Sequence, residues 1–204
     1  RPGATEQALE ALFAAVALAP NEVALRTTLA QTLADAGRFR DAHQHVAEWA
    51  SRAPRDPAAH AALGSIRVIL GDHANALSAL RTARALDANQ PGLLRDLAAC
   101  LERARFTGYD EVTEAELLAC FDATGIEPQD VARATGQLLR AKYHLDDEDV
   151  DARGLEDWGA SGWPDDPLLR SLLRRAINVD AQVERVLVSQ RHQLLVRYSA
   201  EGCI

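Results

Sequence analysis

Over its first half this 204-residue chain repeats itself every 34 positions, and that register constrains the fold more than any other feature. Pro20 and Pro54, Gly37 and Gly71, and Ala42 and Ala76 are each 34 apart, and Leu29, Leu63 and Leu97 continue the same step. A glycine follows eight residues after Leu29 and after Leu63, which leaves room for one helix before it and a second between it and the next proline. The repeated unit is therefore a helix–turn–helix hairpin.

The chemistry of each recurring position fits that unit. Gly37 and Gly71 can adopt the positive φ at which a first helix stops and reverses. Ala42 and Ala76 on the second helix, with Ala30, Gly64 and Ala98 on the first, are small where two helices cross. Pro20 and Pro54 end a second helix, and Asp56 with Pro57 can cap and open the next. Ala (39) and Leu (28) fill about a third of the chain while aromatic residues make up 5%, so helix formers dominate and the expected class is all-α.

This pattern resembles the tetratricopeptide repeat over about residues 4–105. The match comprises a lone second helix (about 4–18), two complete units (about 22–54 and 56–88) and the first helix of another (about 91–104). Departures are visible. The family's large residue early in the first helix is Arg26, His60 and Leu94 here, and its aromatic further along is Leu33, Arg67 and Leu101. Trp49 replaces a small residue, Ala88 replaces the closing proline, and Asp110 stands where a fourth unit needs alanine, so the regular array should end near Phe106. The resemblance implies an α-solenoid of hairpins over residues 1–106 with a groove formed chiefly by the first helices. Carried over by position, its partner-binding residues are Thr27, Gln31, Asp35, Ala61, Ser65, Val68, Arg95 and Glu102. The small residues of such a groove could equally seat the next helix of the same chain. The Lys/Asn set with which some family members clamp a C-terminal carboxylate is missing, which argues against a heat-shock chaperone tail as partner.

Residues 107–204 lose the period but keep helical spacing, and read as a helical extension. Thr113 and Glu116 have the spacing of a capping box, Gly125 follows as a stop, and Pro128 opens a helix through Val131, Ala134, Leu138, Leu139 and Tyr143. A long, solvated acidic connection is expected over about 144–166, in which Trp158 and Trp163 could pin the stretch to the body or face a partner. Within it Asp147, Asp149 and Asp151 alternate as in a calcium loop, but Ala152 occupies the obligatory glycine position and Trp158 that of the bidentate acid, so no metal site is expected. Asp166 with Pro167, and then Asp180, are placed to cap two further helices. The stretch DPLLRSLLRRAINVDAQVERVLVSQRHQLL, like LERARFTGYD after the repeats, is similar to the segment joining repeats to catalytic domain in bacterial tetratricopeptide-containing class I methyltransferases. That likeness implies S-adenosylmethionine as cofactor of a parent protein and none in this chain.

Charge and motif content narrow the function. Residues 1–105 carry 12 basic and 11 acidic groups, residues 106–167 carry 4 and 16, and residues 168–204 carry 6 and 3. The middle segment repels phosphate, and no basic stripe is interleaved with aromatics, so nucleic acid is not an expected partner. No apolar run approaches the roughly 18 residues of a membrane span and no signal pattern opens the chain, so a cytoplasmic protein is expected. Cys100, Cys120 and Cys203 are odd in number and lack metal-ligand spacing. Methionine is absent, as expected of a chain that begins inside a longer reading frame or after processing. There is no GxGxxG, phosphate loop, GxSxG or HExxH, and His43 and His45 face different sides of a helix. The expected function is a helical interaction module that binds a peptide or protein segment, or the catalytic domain of its own parent, without a reaction of its own. The alternative is a structural scaffold that forms a homodimer through the groove or the final helix.

Overall fold

The computed structural model describes residues 2–90, 92–146 and 155–200, and no strand occurs among them. The chain divides into two compact units, residues 1–100 and 101–204.

The N-terminal unit holds α1 (Pro2–Leu18), α2 (Val23–Asp35), α3 (Phe39–Arg52), α4 (Pro57–Ile69), α5 (His73–Leu86) and most of α6 (Leu93–Arg103). Helices adjacent in sequence from α1 to α5 pack on one another, and α2 also packs on α4. Both hairpin turns are built alike. Gly37 and Gly71 have φ of 74° and 79°, and the residue after each donates its amide back to the first helix, Arg38 to the Leu33 carbonyl at 2.8 Å and Asp72 to that of Arg67 at 2.9 Å. That is the six-to-one bond of a Schellman motif, which an L side chain at the glycine would strain. Asp56 caps α4 as expected, its carboxylate accepting from the Ala58 amide at 3.0 Å. The core runs through Leu9, Leu29, Leu33, Val46, Trp49, Leu63 and Ile66, and a second cluster joins Leu80, Ala83, Leu93 and Leu97. At Gly64 an added Cβ would lie 2.5 Å from the side chain of fully buried Leu80, which is why α4 and α5 need a small residue at their crossing.

The departures at Arg26 and His60 have one structural cause. The Arg26 guanidinium donates to the carbonyl of Pro20, and the His60 ring meets the carbonyl of Pro54 at 3.0 Å, so both tie a first helix to the proline turn before it. Arg26 is buried, and its guanidinium carbon lies 6.0 Å from the centre of the Trp49 ring. Trp49 fills the space beside it and donates its indole N–H to Asp56 at 3.1 Å. The nearby His45 imidazole is held below its ordinary range by burial first and by the Arg26 charge second.

The C-terminal unit contains α7 (Glu111–Asp122), a 3-10 turn at Pro128–Val131, α8 (Ala132–Tyr143), α9 (Leu155–Ala160), a 3-10 turn at Trp163–Asp165, α10 (Pro167–Arg175) and α11 (Ala181–Ala200). Helix α10 packs on α7 and α8, and α11 on α8 and α9. Asp166 and Asp180 cap α10 and α11 as expected. Helix α7 corrects the expected capping box. Its cap is Asp110, which accepts from the amides of Val112 and Thr113 and from the Thr113 hydroxyl at 2.5 Å, so Thr113 is a buried donor and not the cap. Pro128 opens a 3-10 turn, and the α-helix begins only at Ala132.

The acidic connection expected over about 144–166 is also corrected. Its second half holds α9 and a 3-10 turn, with Trp158 and Trp163 buried at 3% and 1% exposure and their rings 5.5 Å apart. The calcium-like run Asp147, Asp149, Asp151 lies outside the described residues, as does Cys203, whereas Cys100 and Cys120 are buried.

Around these indoles sits the charge cluster of this unit. Lys142, the only lysine in the chain, donates to Asp166 at 2.7 Å and to both oxygens of Glu114 at 2.9 Å. The Tyr143 hydroxyl donates to the same oxygen of Asp166 at 2.7 Å, and the Tyr109 hydroxyl donates to Glu114 at 2.6 Å. Tyr109 is pushed up to about 12, chiefly because that hydrogen bond to Glu114 favours the neutral phenol. The cluster joins α7, α8 and the cap of α10.

Gly136 on α8 marks a second close approach, since an added Cβ would lie 2.5 Å from the Cβ of Asp180, the cap of α11. A Cβ so near the backbone cannot rotate away. Gly136→Ala is therefore expected to destabilise the protein by about 1–3 kcal/mol, overriding the roughly 1 kcal/mol that alanine gains over glycine within a helix. Urea unfolding compared with the parent checks this, and a stabilised variant would mean that α8 and Asp180 do not meet.

Candidate partner groove

Three first helices and the turn before the last of them open onto one groove of about 380 Å³. Helix α2 contributes Val23, Thr27, Ala30 and Gln31, and α4 contributes Ala58, Ala61, Ala62, Ser65 and Ile66. Gln90, Gly92, Arg95 and Asp96 close the third side. The floor is made where Ala30 and Ile66 are buried, and the alanines keep it open because their side chains stop at Cβ.

Five of the eight residues expected at a binding surface line this groove: Thr27, Gln31, Ala61, Ser65 and Arg95. Asp35, Val68 and Glu102 do not, and each has a different reason. Asp35 sits one turn beyond Gln31 and accepts its amide at 2.8 Å. Val68 turns inward and packs on the cluster that holds Leu80 and Leu97. Glu102 belongs to residues 101–204 and pairs with Arg103 at 3.0 Å.

The polar groups of the groove differ in what they have left to offer. Thr27 returns its hydroxyl proton to the Val23 carbonyl at 2.9 Å, so toward the groove it can only accept. Gln31 has given an N–H to Asp35, and Ser65 donates between the Ala61 carbonyl and the Asp96 carboxylate. Gln90 is held by Asp87 at 2.7 Å. Arg95 is exposed and makes no hydrogen bond or ion pair among the described residues. It is the open cation of the groove, with five donors in a planar fork.

Asp96, like Gln90, lines the groove without standing at a position that the family resemblance assigns to it. Its signal was present as a carboxylate next to Arg95, but the chosen face of α6 followed residues 95, 99, 102 and 103. The Ser65–Asp96 bond crosses from α4 to α6 and depends on how those helices approach, which no local pattern encodes.

Residues 2–66 match the tetratricopeptide repeat family. Over these residues the chain carries tetratricopeptide repeats. The matched residues cover α1, α2, α3 and most of α4, and the 34-residue register extends the tetratricopeptide hairpin through Gly71 and Ala76 into α5. No curated protein matches the chain. Tetratricopeptide repeats are non-catalytic modules that mediate protein–protein interaction through the surfaces their stacked units create. Among the described residues no group of three His, Cys, Asp or Glu side chains could hold a metal ion, and no helix is long and apolar enough to cross a membrane.

Proposed function

We propose that this groove receives an extended peptide segment of a partner protein. The observation that carries the reading is convergence: side chains from α2, α4 and α6, far apart in sequence, line one trough with an alanine floor and the open Arg95 fork at its edge. A volume of about 380 Å³ is at the low end of ligand sites and suits a few residues of extended chain. A helix, about 10–12 Å across with its side chains, is too wide for it. Arg95 favours an acidic side chain on the ligand, and the floor favours a small apolar one beside it. In this reading the chain has no reaction of its own, and S-adenosylmethionine chemistry, where the methyltransferase likeness implies it, belongs to a separate catalytic domain.

A photoreactive side chain placed at Ala61 tests the reading by cross-linking the partner directly in the groove. Cross-linking in extract of the source cells should give a defined protein adduct. Adding Arg95→Glu and Ser65→Arg should lower its yield at least tenfold, because the cation is reversed and the trough is filled, while the helical circular dichroism stays unchanged. An adduct whose yield ignores both substitutions would place the binding surface elsewhere.

A further inference from the structure

The groove holds one charge that the protein itself leaves unmatched. Six aspartates are buried or half-buried among the described residues: Asp56, Asp87, Asp96, Asp110, Asp166 and Asp180. Five of them accept from a backbone amide and so close a turn or cap a helix, Asp56 from Ala58, Asp87 from Asn89, Asp110 from Val112, Asp166 from Leu168 and Asp180 from Gln182. The carboxylate of Asp96 accepts from the Ser65 hydroxyl, takes no backbone amide and meets no cation among the described residues. A half-buried carboxylate has given up part of its hydration, and one neutral hydroxyl returns little of it.

The cation beside it in sequence does not make up the difference. Successive residues on a helix point about 100° apart. A Cβ added at Gly92 would lie 3.0 Å from Nη2 of Arg95, so the guanidinium folds back over the turn before α6, whereas Asp96 reaches across to Ser65 on α4. Arg95 is the one cation among the lining residues. The remaining polar lining offers a guest mainly acceptors, since Thr27 has spent its proton and Gln31 and Gln90 have each given an N–H to an aspartate while their amide oxygens stay open.

We propose that Asp96 is the anionic anchor of the groove and that the segment received there carries a basic side chain, lysine or arginine, besides the acidic group suited to Arg95. This role rests on the peptide-groove reading and adds to it the sign of a second charge. An ammonium or guanidinium on Asp96 makes a charge-assisted bond in a site partly shielded from solvent, and the open acceptors suit so donor-rich a guest. A purely acidic segment would satisfy Arg95 and leave Asp96 unmatched.

The probe is a set of hexapeptides of alanine and serine, with uncharged termini and an uncharged fluorophore, in which one aspartate and one lysine or arginine occupy every pair of positions. Each has a twin with glutamine in place of the basic residue. Fluorescence anisotropy should find at least one arrangement that binds at least tenfold more tightly than its twin. Asp96→Asn keeps an oxygen for the Ser65 hydroxyl and removes the charge, and should bring that pair within about twofold. Ser65→Ala breaks the bond between α4 and α6 but keeps the charge, so the preference should persist, which a merely structural tie would not allow. Ser65→Arg fills the trough and should abolish binding of both peptides. Binding that Ser65→Arg abolishes, but with no preference for the basic residue, would overturn this role for Asp96 and leave the groove reading in place. A preference that survives Asp96→Asn or is lost in Ser65→Ala would do the same. No binding anywhere in the set, or binding indifferent to Ser65→Arg, would overturn the groove reading and the role of Asp96 with it.

Discussion

Asp166→Ala is expected to destabilise the C-terminal unit by about 3–5 kcal/mol, because one carboxylate serves both a helix cap and a buried ion pair. One oxygen accepts from the amides of Leu168 and Leu169 at 2.8 and 2.9 Å, and the other from Lys142 and Tyr143, both at 2.7 Å. Its side chain is 1% exposed and that of Lys142 22%, so little solvent screens the pair. Alanine would leave Lys142 with the Glu114 carboxylate as its ion-pair partner, remove the acceptor of the Tyr143 hydroxyl bond and uncap α10. Urea unfolding followed by amide exchange in α8 and α10 measures the loss, and a change below about 1 kcal/mol would show that the cluster is solvated.

The same carboxylate gives the unit its acid sensitivity. Burial alone would raise Asp166, but the hydrogen bond from Lys142, the amide of Leu169 and the Tyr143 hydroxyl together hold it below the usual carboxylate range. A depressed folded value means that its contribution is complete above the unfolded value near 4 and is lost as pH falls through the folded one. Asp166→Asn, which keeps an oxygen for the cap, should therefore cost most near neutral pH and progressively less toward pH 3.

Trp49→Ala should cost the N-terminal unit about 3–5 kcal/mol, the range for emptying a buried aromatic site. The indole is 2% exposed, and its loss would open a cavity beside the buried Arg26 guanidinium and leave Asp56 without its indole donor. Trp49→Phe keeps most of the apolar contact and loses only the N–H bond, so it should cost about 1 kcal/mol plus a smaller packing term. Chemical denaturation of the two variants separates the contributions. Equal losses would mean that the hydrogen bond, and not the ring, carries the site.

What the sequence by itself determined is what rests on contacts within a turn or two of chain. The left-handed glycines at 37 and 71, the caps at Asp56, Asp166 and Asp180, and the small residues at the helix crossings each follow from backbone geometry that a few neighbouring positions set. Repetition at 34 residues then multiplies those local facts into hairpins, and five groove positions follow from them.

Tertiary structure decided whatever needed two distant segments to meet. Arg26 and His60 look like misplaced polar residues until the proline carbonyls they reach are in view. Ser65 and Asp96 are 31 residues apart, and Lys142 gathers partners 24 and 28 residues away. The stretch around Trp158 and Trp163 reads as a solvated loop because its charges dominate the composition, yet burial of two indoles outweighs the polar cover around them. In each case the pattern along the chain states which groups are available, and only packing selects the pairs, since an ion pair or an aromatic contact gains its free energy from the neighbours that remove water from it.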